Sequence, residues 1–186
     1  ADMYLTGNMV ANKLYLNKGN LTFEDISVSA GIEGNKPWST GVVMVDINQD
    51  GLLDIYVSNA GNLEGNNHDN DLYINNGDLT FTEKASDFNL AKTGFSTHAS
   101  FFDYDKDGDL DAYILNNSNI PVSSLGYAEQ RDKRAQDWEN VPKIFRGVGD
   151  MLLRNDNGKF TDVSEEAGIY GSLIGFGLGV MVTDMN

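Results

Sequence analysis

Residues 39–58, STGVVMVDINQDGLLDIYVS, and residues 96–115, STHASFFDYDKDGDLDAYIL, are two copies of one pattern. In each copy a β-branched or aromatic run leads into a nine-residue acidic segment, and a second such run follows it. Runs of this kind bounded by Asp, Asn and Gly predict two strands joined by a tight loop. The pattern begins a third time at Gly177 and reaches Asp184. The chain is therefore predicted to be all-β and built from repeats.

A second pattern alternates with the first along the chain. Residues 12–17, NKLYLN, return as residues 70–75, NDLYIN, and more loosely as residues 150–155, DMLLRN; a Gly-containing turn and a Phe follow each copy. An Asn-Gly turn between β-rich runs is a strong hairpin signal. Each unit then has four short strands, which favours propeller blades over a sandwich. The strands predicted for one complete unit are residues 42–45, 55–58, 72–75 and 80–83.

The predicted fold class is all-β, with propeller-type blades of four antiparallel strands, about three of them, as a fragment of a larger propeller. Residues 2–5, DMYL, align with residues 54–57, DIYV, so the chain is expected to begin at the exit of one acidic loop and to stop inside another. Its open strand edges make it a candidate for head-to-tail self-association. The expected organisation is a single repeat region over 1–186, divided into a partial blade (1–11), a repeat (12–61), a repeat (70–117), an insertion (118–148) and a partial repeat (149–186).

The composition restricts the possible partners. The 186 residues carry a formal net charge of −15, whereas nucleic acids and anionic membranes require a basic surface. No apolar run approaches the ~18 residues that suggest a membrane-spanning helix, so membrane insertion is not expected. The absence of cysteine excludes disulfides, thiolate zinc sites and cysteine nucleophiles.

Both acidic segments, DINQDGLLD at 46–54 and DYDKDGDLD at 103–111, follow one rule of ligand spacing. Side-chain oxygens at positions 1, 3 and 5 converge when the chain wraps tightly, glycine at position 6 permits the turn, and the carbonyl at position 7 can add a ligand. Coordination by oxygen alone in a flexible loop favours calcium over magnesium. The predicted ligands of about two Ca²⁺ ions are Asp46, Asn48, Asp50, Leu52, Asp54, Asp103, Asp105, Asp107, Asp109 and Asp111.

The flanks of these loops exclude an EF-hand. An EF-hand places Glu at position 12 between two helices, whereas this chain has Val57 and Ile114 there, within β-patterned runs. Closure at position 9, by Asp54 and Asp111, indicates a strand-loop-strand version. A plain Asp/Asn/Gly turn without a metal is the alternative, and two full copies and two half copies in register disfavour it.

The acidic loops, the Gly-x-Gly-Val lead-in at Gly177 and the run LYLNKGNLTFED at 14–25 resemble FG-GAP/VCBS repeats. Among these, the chain looks most like the bacterial proteins similar to cartilage acidic protein, the ASPIC/UnbV group. The resemblance covers nearly the whole chain except about residues 118–148. It implies a calcium-braced β-propeller like the integrin α-chain head, in an extracellular, cell-surface or periplasmic location, with a role in adhesion or in glycan or protein binding.

An enzymatic site is not predicted. The two histidines are interpreted structurally: His98, which replaces Gly41 in a strand, as a buried and satisfied imidazole, and His68, in the polar connection 61–70, as solvated. Nucleophile-elbow, P-loop and zinc motifs are missing from the sequence. The protein is expected to be non-enzymatic, with the accessory propeller of a secreted polysaccharide-degrading enzyme as the alternative.

A ligand-binding surface is predicted on the face opposite the acidic loops. Because strands of a blade alternate in direction, the variable connections and the segments that precede each first strand lie on that face. The insertion brings aromatic residues beside arginines, a combination typical of recognition surfaces; packing of this segment on its own blade, or on a neighbouring domain, is the alternative. The predicted contact residues for an extracellular protein or glycan are Trp38, Tyr127, Arg131, Arg134 and Trp138.

Overall fold

The computed structural model describes residues 1–61, 67–118, 148–172 and 175–183. Strands dominate these residues, and the two helices among them have four residues each, so neither could span a membrane. In chain order the elements are β1 (Met3–Leu5), β2 (Lys13–Gly19), β3 (Thr22–Asp25), α1 (Ser27–Ala30), β4 (Ser39–Val45), β5 (Asp54–Asn59), β6 (Asp71–Asn75), β7 (Phe81–Glu83), α2 (Ala85–Phe88), β8 (Ser96–Phe102), β9 (Asp111–Asn116), β10 (Met151–Asn155) and β11 (Phe160–Asp162).

The strands form three sheets in which every neighbouring pair is antiparallel. The first sheet has the order β1-β2-β3, the second β4-β5-β6-β7 and the third β8-β9-β10-β11. This up-and-down order within short four-stranded sheets confirms the predicted all-β, blade-like architecture. The four strands predicted for a complete unit correspond to β4, β5, β6 and β7, with shifts of at most a few residues at their ends.

Each four-stranded sheet draws its strands from two neighbouring repeats of the sequence. The second sheet joins the hairpin around the first acidic loop to the Asn-Gly hairpin that follows residues 60–70. The third sheet does the same across residues 117–150. A blade is therefore completed by the hairpin after the variable connection, so blades and sequence repeats are offset by two strands.

The first strands of successive sheets lie side by side and are joined by threonine hydroxyls. Thr40 Oγ1 donates to the carbonyl of Ser96 at 2.6 Å, and Thr97 Oγ1 donates to the carbonyl of Gly177 at 3.0 Å. Gly41 makes the first approach possible, because a Cβ atom at this position would lie 2.4 Å from the carbonyl oxygen of Thr97. The segment from Gly177 onward thus occupies the next first-strand position.

Two hydrophobic clusters fill the spaces between the sheets, and β5 contributes to both. Alternate side chains of β5 point to opposite faces of the second sheet. All six residues are buried, because both faces of the sheet are covered at this strand. Ile55 and Val57 pack in the cluster shared with the first sheet, whereas Tyr56 packs in the cluster shared with the third. Burial on both faces explains why this strand is a continuous apolar run instead of an alternating one.

Strand registers place the acidic loops at one end of the sheets. Val45 pairs with Asp54 next to the first loop, and the Asn-Gly turn after Asn75 lies at the same end. Val57 pairs with Asp71 toward the other end, where β4 begins after Trp38. The variable connections therefore leave from the end opposite the acidic loops.

Candidate metal-binding loops

The residue that closes each acidic loop is a buried aspartate with two structural partners. Asp54 and Asp111 are the first residues of β5 and β9, and both are 0% exposed. One carboxylate oxygen accepts from a backbone amide inside the loop, and the other accepts from the last residue of the third strand: Asn75 N for Asp54 and Asn155 N for Asp111, both at 2.8 Å. We call each of these strand-bridging carboxylates, with its asparagine amide, a clasp.

The first sheet repeats the clasp. Asp2 Oδ1 accepts from the amide of Asn17 at 2.8 Å, as expected from the alignment of residues 2–5 with residues 54–57. The asparagines were missed as site residues, yet a signal for them exists: Asn17, Asn75 and Asn155 occupy the same position in each copy of the second pattern.

The opening aspartate of each loop holds the turn. Both oxygens of Asp46 accept backbone amides, from Asp50 at 3.0 Å and Gly51 at 2.9 Å. Gly51 has φ +87° and the equivalent Gly108 has φ +97°, a conformation that side chains disfavour. Glycine at position 6 is therefore required by the backbone, as predicted.

Three carboxylates converge in the second loop. Oxygen atoms of Asp103, Asp105 and Asp111 all lie within 4.8 Å of one another. Oxygens that each lie about 2.4 Å from a shared calcium ion must be this close. Burial raises the pKa of Asp105, and the neighbouring carboxylates Asp107, Asp111 and Asp103 raise it further. A hard divalent cation would relieve this repulsion, so the oxygen-only donor set fits one.

The first loop has fewer charges to offer. Neutral Asn48 occupies the position that Asp105 holds in the second loop, and its side-chain amide donates to Asp50 Oδ2 at 2.9 Å. Burial raises the pKa of Asp54, and Asp50 and Asp46 add to the shift. The two loops also touch, since Gln49 Nε2 donates to the carbonyl of Gly108 at 2.7 Å, a contact that the sequence did not reveal.

The position-7 residues were expected to contribute only backbone carbonyls. The backbone amides of Leu52 and Asp109 donate to the aspartates at position 5, at 2.8 and 3.0 Å. Asp109 also carries a buried side-chain oxygen that accepts no hydrogen bond from the described residues, and burial raises the pKa of this carboxyl. Asp109 is not among the three carboxylates that converge, so the structure does not bring its side chain to the shared point.

The residues predicted to bind a ligand are placed only in part. Trp38 is 43% exposed and lies at the end of the sheets opposite the acidic loops. Tyr127, Arg131, Arg134 and Trp138 lie outside the described residues.

Both histidine interpretations need correction. The prediction that His68 is solvated is wrong: it is 4% exposed, and its ring packs edge-on against Phe95 at a centroid distance of 5.3 Å. His98 is only half-buried, and its buried Nδ1 atom makes no hydrogen bond to the described residues, so this imidazole is not satisfied as expected. Tertiary packing of the connection onto the third sheet, invisible in the local sequence, accounts for the burial of His68.

Comparison with protein families gives one match that covers more than half of the chain. The FG-GAP-like repeat matches residues 1–57 and 60–114. These two matched segments contain the two complete acidic loops. A comparison with curated proteins gave no match.

Proposed function

The chain belongs to the FG-GAP-like repeat family, and from this premise we propose that it is a calcium-binding, non-enzymatic region of an extracellular β-propeller. In this proposal about two Ca²⁺ ions brace the blades, and the opposite face takes part in adhesion or in glycan or protein binding. Membership of the group similar to cartilage acidic protein is the finer form of the same proposal.

Calcium binding is supported chiefly by the convergence of Asp103, Asp105 and Asp111. Without a cation, these carboxylates face one another with few compensating charges, because the hydrogen bonds that they accept within the described residues come from neutral backbone amides, of the loop and of Asn155. The first loop has the same turn and the same clasp, so it offers a second, less charged version of the site.

An extracellular location is supported by the electrostatics of the chain. A net charge of −15 is compatible with loops filled by divalent cations, and sites of moderate affinity are occupied where calcium reaches millimolar concentration. Such surroundings are extracellular, at the cell surface or in the periplasm.

Calcium affinity is expected to differ between the loops. The second loop should bind more tightly, because all of its side-chain ligands are aspartates whereas the first includes neutral Asn48, and the number of charged ligands tunes affinity. Asp107→Ala should remove the tighter of two binding events in isothermal titration calorimetry, and Asp50→Ala the weaker one.

The control variant for this titration is Asp78→Ala, which removes an exposed carboxylate from the Asn-Gly turn at the same end of the second sheet. Both binding events should persist in it. Unchanged calcium binding in a chain carrying both loop substitutions would refute the assignment of these loops.

A further inference from the structure

A polar cavity of about 460 Å³ opens between the segment after α1 and strands β6 and β7. Its lining includes Asp71, at the end of the second sheet away from the acidic loops. The volume is that of a site for a small ligand. The lining residues are Gly31, Glu33, Gly34, Asn35, Lys36, Asp71, Tyr73 and Glu83.

Asp71 is a buried carboxylate that the protein compensates poorly. It is 7% exposed, and its Oδ2 accepts from Asn59 Nδ2 at 3.0 Å. Its Oδ1 lies 3.9 Å from Lys36 Nζ, which is too far for a hydrogen bond. Burial raises the pKa of Asp71 to about 6 in spite of Asn59 and Lys36. One oxygen of this carboxylate therefore has room for a further donor.

The repeat shows that Asp71 is not part of the common scaffold. The equivalent residues of the other two copies are Lys13 and Met151. The preceding position, by contrast, keeps its role in every sheet, since the side-chain oxygens of Asn12, Asn70 and Asp150 each accept a backbone amide from the end of the neighbouring strand or the loop after it. A buried acid at residue 71 thus belongs to this cavity alone.

Tyr73 presents a second polar group to the cavity. The residue is 5% exposed, and its hydroxyl makes no hydrogen bond to the described residues, although burial raises its pKa and Asp71 is close enough to raise it further. Gly34 borders this hydroxyl: a Cβ atom there would lie 3.5 Å from the Tyr73 oxygen and 2.9 Å from Asn12 Nδ2. Glycine at 34 keeps the space beside the phenol open.

The remaining charges of the cavity are already engaged. Glu33 pairs with Lys13 at 3.6 Å, and Glu83 accepts from the amide of Ala85 at 2.8 Å. The first sheet has an equivalent bond, in which the backbone amide of Ser27 donates to the carboxylate of Asp25. Glu83 therefore has a structural role at the same position of the second sheet. Lys36 and Asp71, which form only a long ion pair at 3.9 Å, and Tyr73 are left to meet a ligand.

These three groups discriminate by charge. An anion would also meet Glu33 and Glu83 and so would face three carboxylates, whereas a cation bound to Asp71 would be repelled by the ammonium of Lys36, which lies 3.9 Å from that carboxylate. A hydroxyl group of a ligand can donate to the carboxylate of Asp71 and accept from the ammonium of Lys36 or the phenol of Tyr73. It therefore suits an Asp71–Lys36 pair whose members are too far apart to hydrogen-bond each other. Buried polar groups also reject a ligand that leaves them unpaired.

We propose that this cavity binds one neutral sugar residue, whose hydroxyls hydrogen-bond Asp71, Lys36 and the hydroxyl of Tyr73. The inference rests on the binding role proposed for the face opposite the acidic loops and gives that role a ligand class and a place.

Ligand-observed NMR on the calcium-loaded chain provides the test, with the methyl glycosides of glucose, galactose, mannose and N-acetylglucosamine as separate probes and glycerol as the polyol control. At least one glycoside should bind, and glycerol should not. Tyr73→Phe should weaken binding at least about fivefold, the value of one hydrogen bond. The matched control is Tyr15→Phe, at the equivalent position of the first sheet, which should bind as the native chain does.

The thermal midpoint separates a lost contact from a damaged fold. Tyr73→Phe removes a hydroxyl that makes no hydrogen bond to the described residues, so its midpoint should equal that of Tyr15→Phe. The proposal is overturned if no glycoside binds the native chain or if both Phe variants bind equally. A calcium titration of the same samples reports on the acidic loops independently, so failure of the sugar site and failure of the calcium sites are distinguishable.

Replacing Asp71 with Asn should stabilise the protein at neutral pH. Because the pKa is about 6 in the folded chain and 3.8 ordinarily, the folded state binds the proton more tightly, and stability falls as pH rises through this window. Lys36, Glu83 and Asp69 are the charged groups that act on this carboxyl. Asn cannot ionise, so the variant should melt several degrees higher than the native chain at pH 7.5 and at the same temperature near pH 4.

The control for the pH series is Asp78→Asn, whose exposed carboxyl has a lowered pKa because it accepts from Thr80. It should not melt higher than the native chain at pH 7.5. A lower melting temperature for Asp71→Asn at pH 7.5 would show that the Asp71–Lys36 pair is a structural ion pair, and the sugar site would lose its main support.

Discussion

Removing calcium with a chelator is expected to lower the free energy of unfolding by about 5 kcal/mol. This value corresponds to two sites that are each held at about 100 times their dissociation constant, for which mass action gives about 2.7 kcal/mol per site. It applies if the constants lie near 10 μM and free calcium near 1 mM. The repulsion among Asp103, Asp105 and Asp111 returns when the ion leaves, so the loss should be larger at low salt.

Chemical denaturation at matched ionic strength, in calcium and in chelator, measures the difference. Magnesium is the control cation, because it requires stricter octahedral geometry and retains its water, so it should restore little of the lost stability. Unfolding curves that superimpose with and without calcium would contradict the role of the ion as a brace, even if calcium binds.

The second large effect is expected from Gly41→Ala, which should destabilise the fold by about 2–3 kcal/mol. The added methyl group would lie 2.4 Å from the carbonyl oxygen of Thr97 and 3.1 Å from the Cα of His98. Both contacts are with backbone atoms of β8, so no side chain can rotate away and the two sheets must separate. At this chain length the melting temperature should fall by about 4–12 °C.

Gly179→Ala is the matched control for this substitution. Residue 179 holds the position of Gly41 in the third copy of the repeat, and a Cβ atom there would meet no atom of the described residues within 4 Å. The control should remain within about 0.5 kcal/mol of the native chain. Equal losses in the two variants would mean that the approach of β4 to β8 does not govern this position, because without a clash the change from glycine to alanine lowers the entropy of the unfolded chain and should stabilise the fold.

Much of the fold could be predicted because the repeat supplies it several times. Strand type, the order of the hairpins and the two acidic loops all follow from local patterns, and the alignment of residues 2–5 with residues 54–57 identifies Asp2 as the counterpart of Asp54, although it does not predict the bond to Asn17. The sequence signals for β-strands and tight turns were sufficient to predict these features.

Several of the features that were missed depend on contacts between sheets. His68 packs against Phe95, which is distant from it in the sequence. The side chain of Gln49 hydrogen-bonds from the first acidic loop to the second. The cavity at Asp71 and Tyr73 combines strands of the second sheet with a segment that follows the first. A sequence repeat predicts the structure that all of its copies share. It does not show which residues of one copy contact a neighbouring sheet.

The clasps have a consequence for how such a chain can change over generations. Asn155 N is held by Asp111 across 44 positions of sequence, so the third strand is fixed to the second whatever lies between them. The connection at 117–150 is about three times as long as the one at 60–70, yet both end in the same strand pairing. Closing a loop three times longer costs only about 1 kcal/mol. New segments can therefore be inserted here, and new specificities acquired, while the register of the blade is inherited intact.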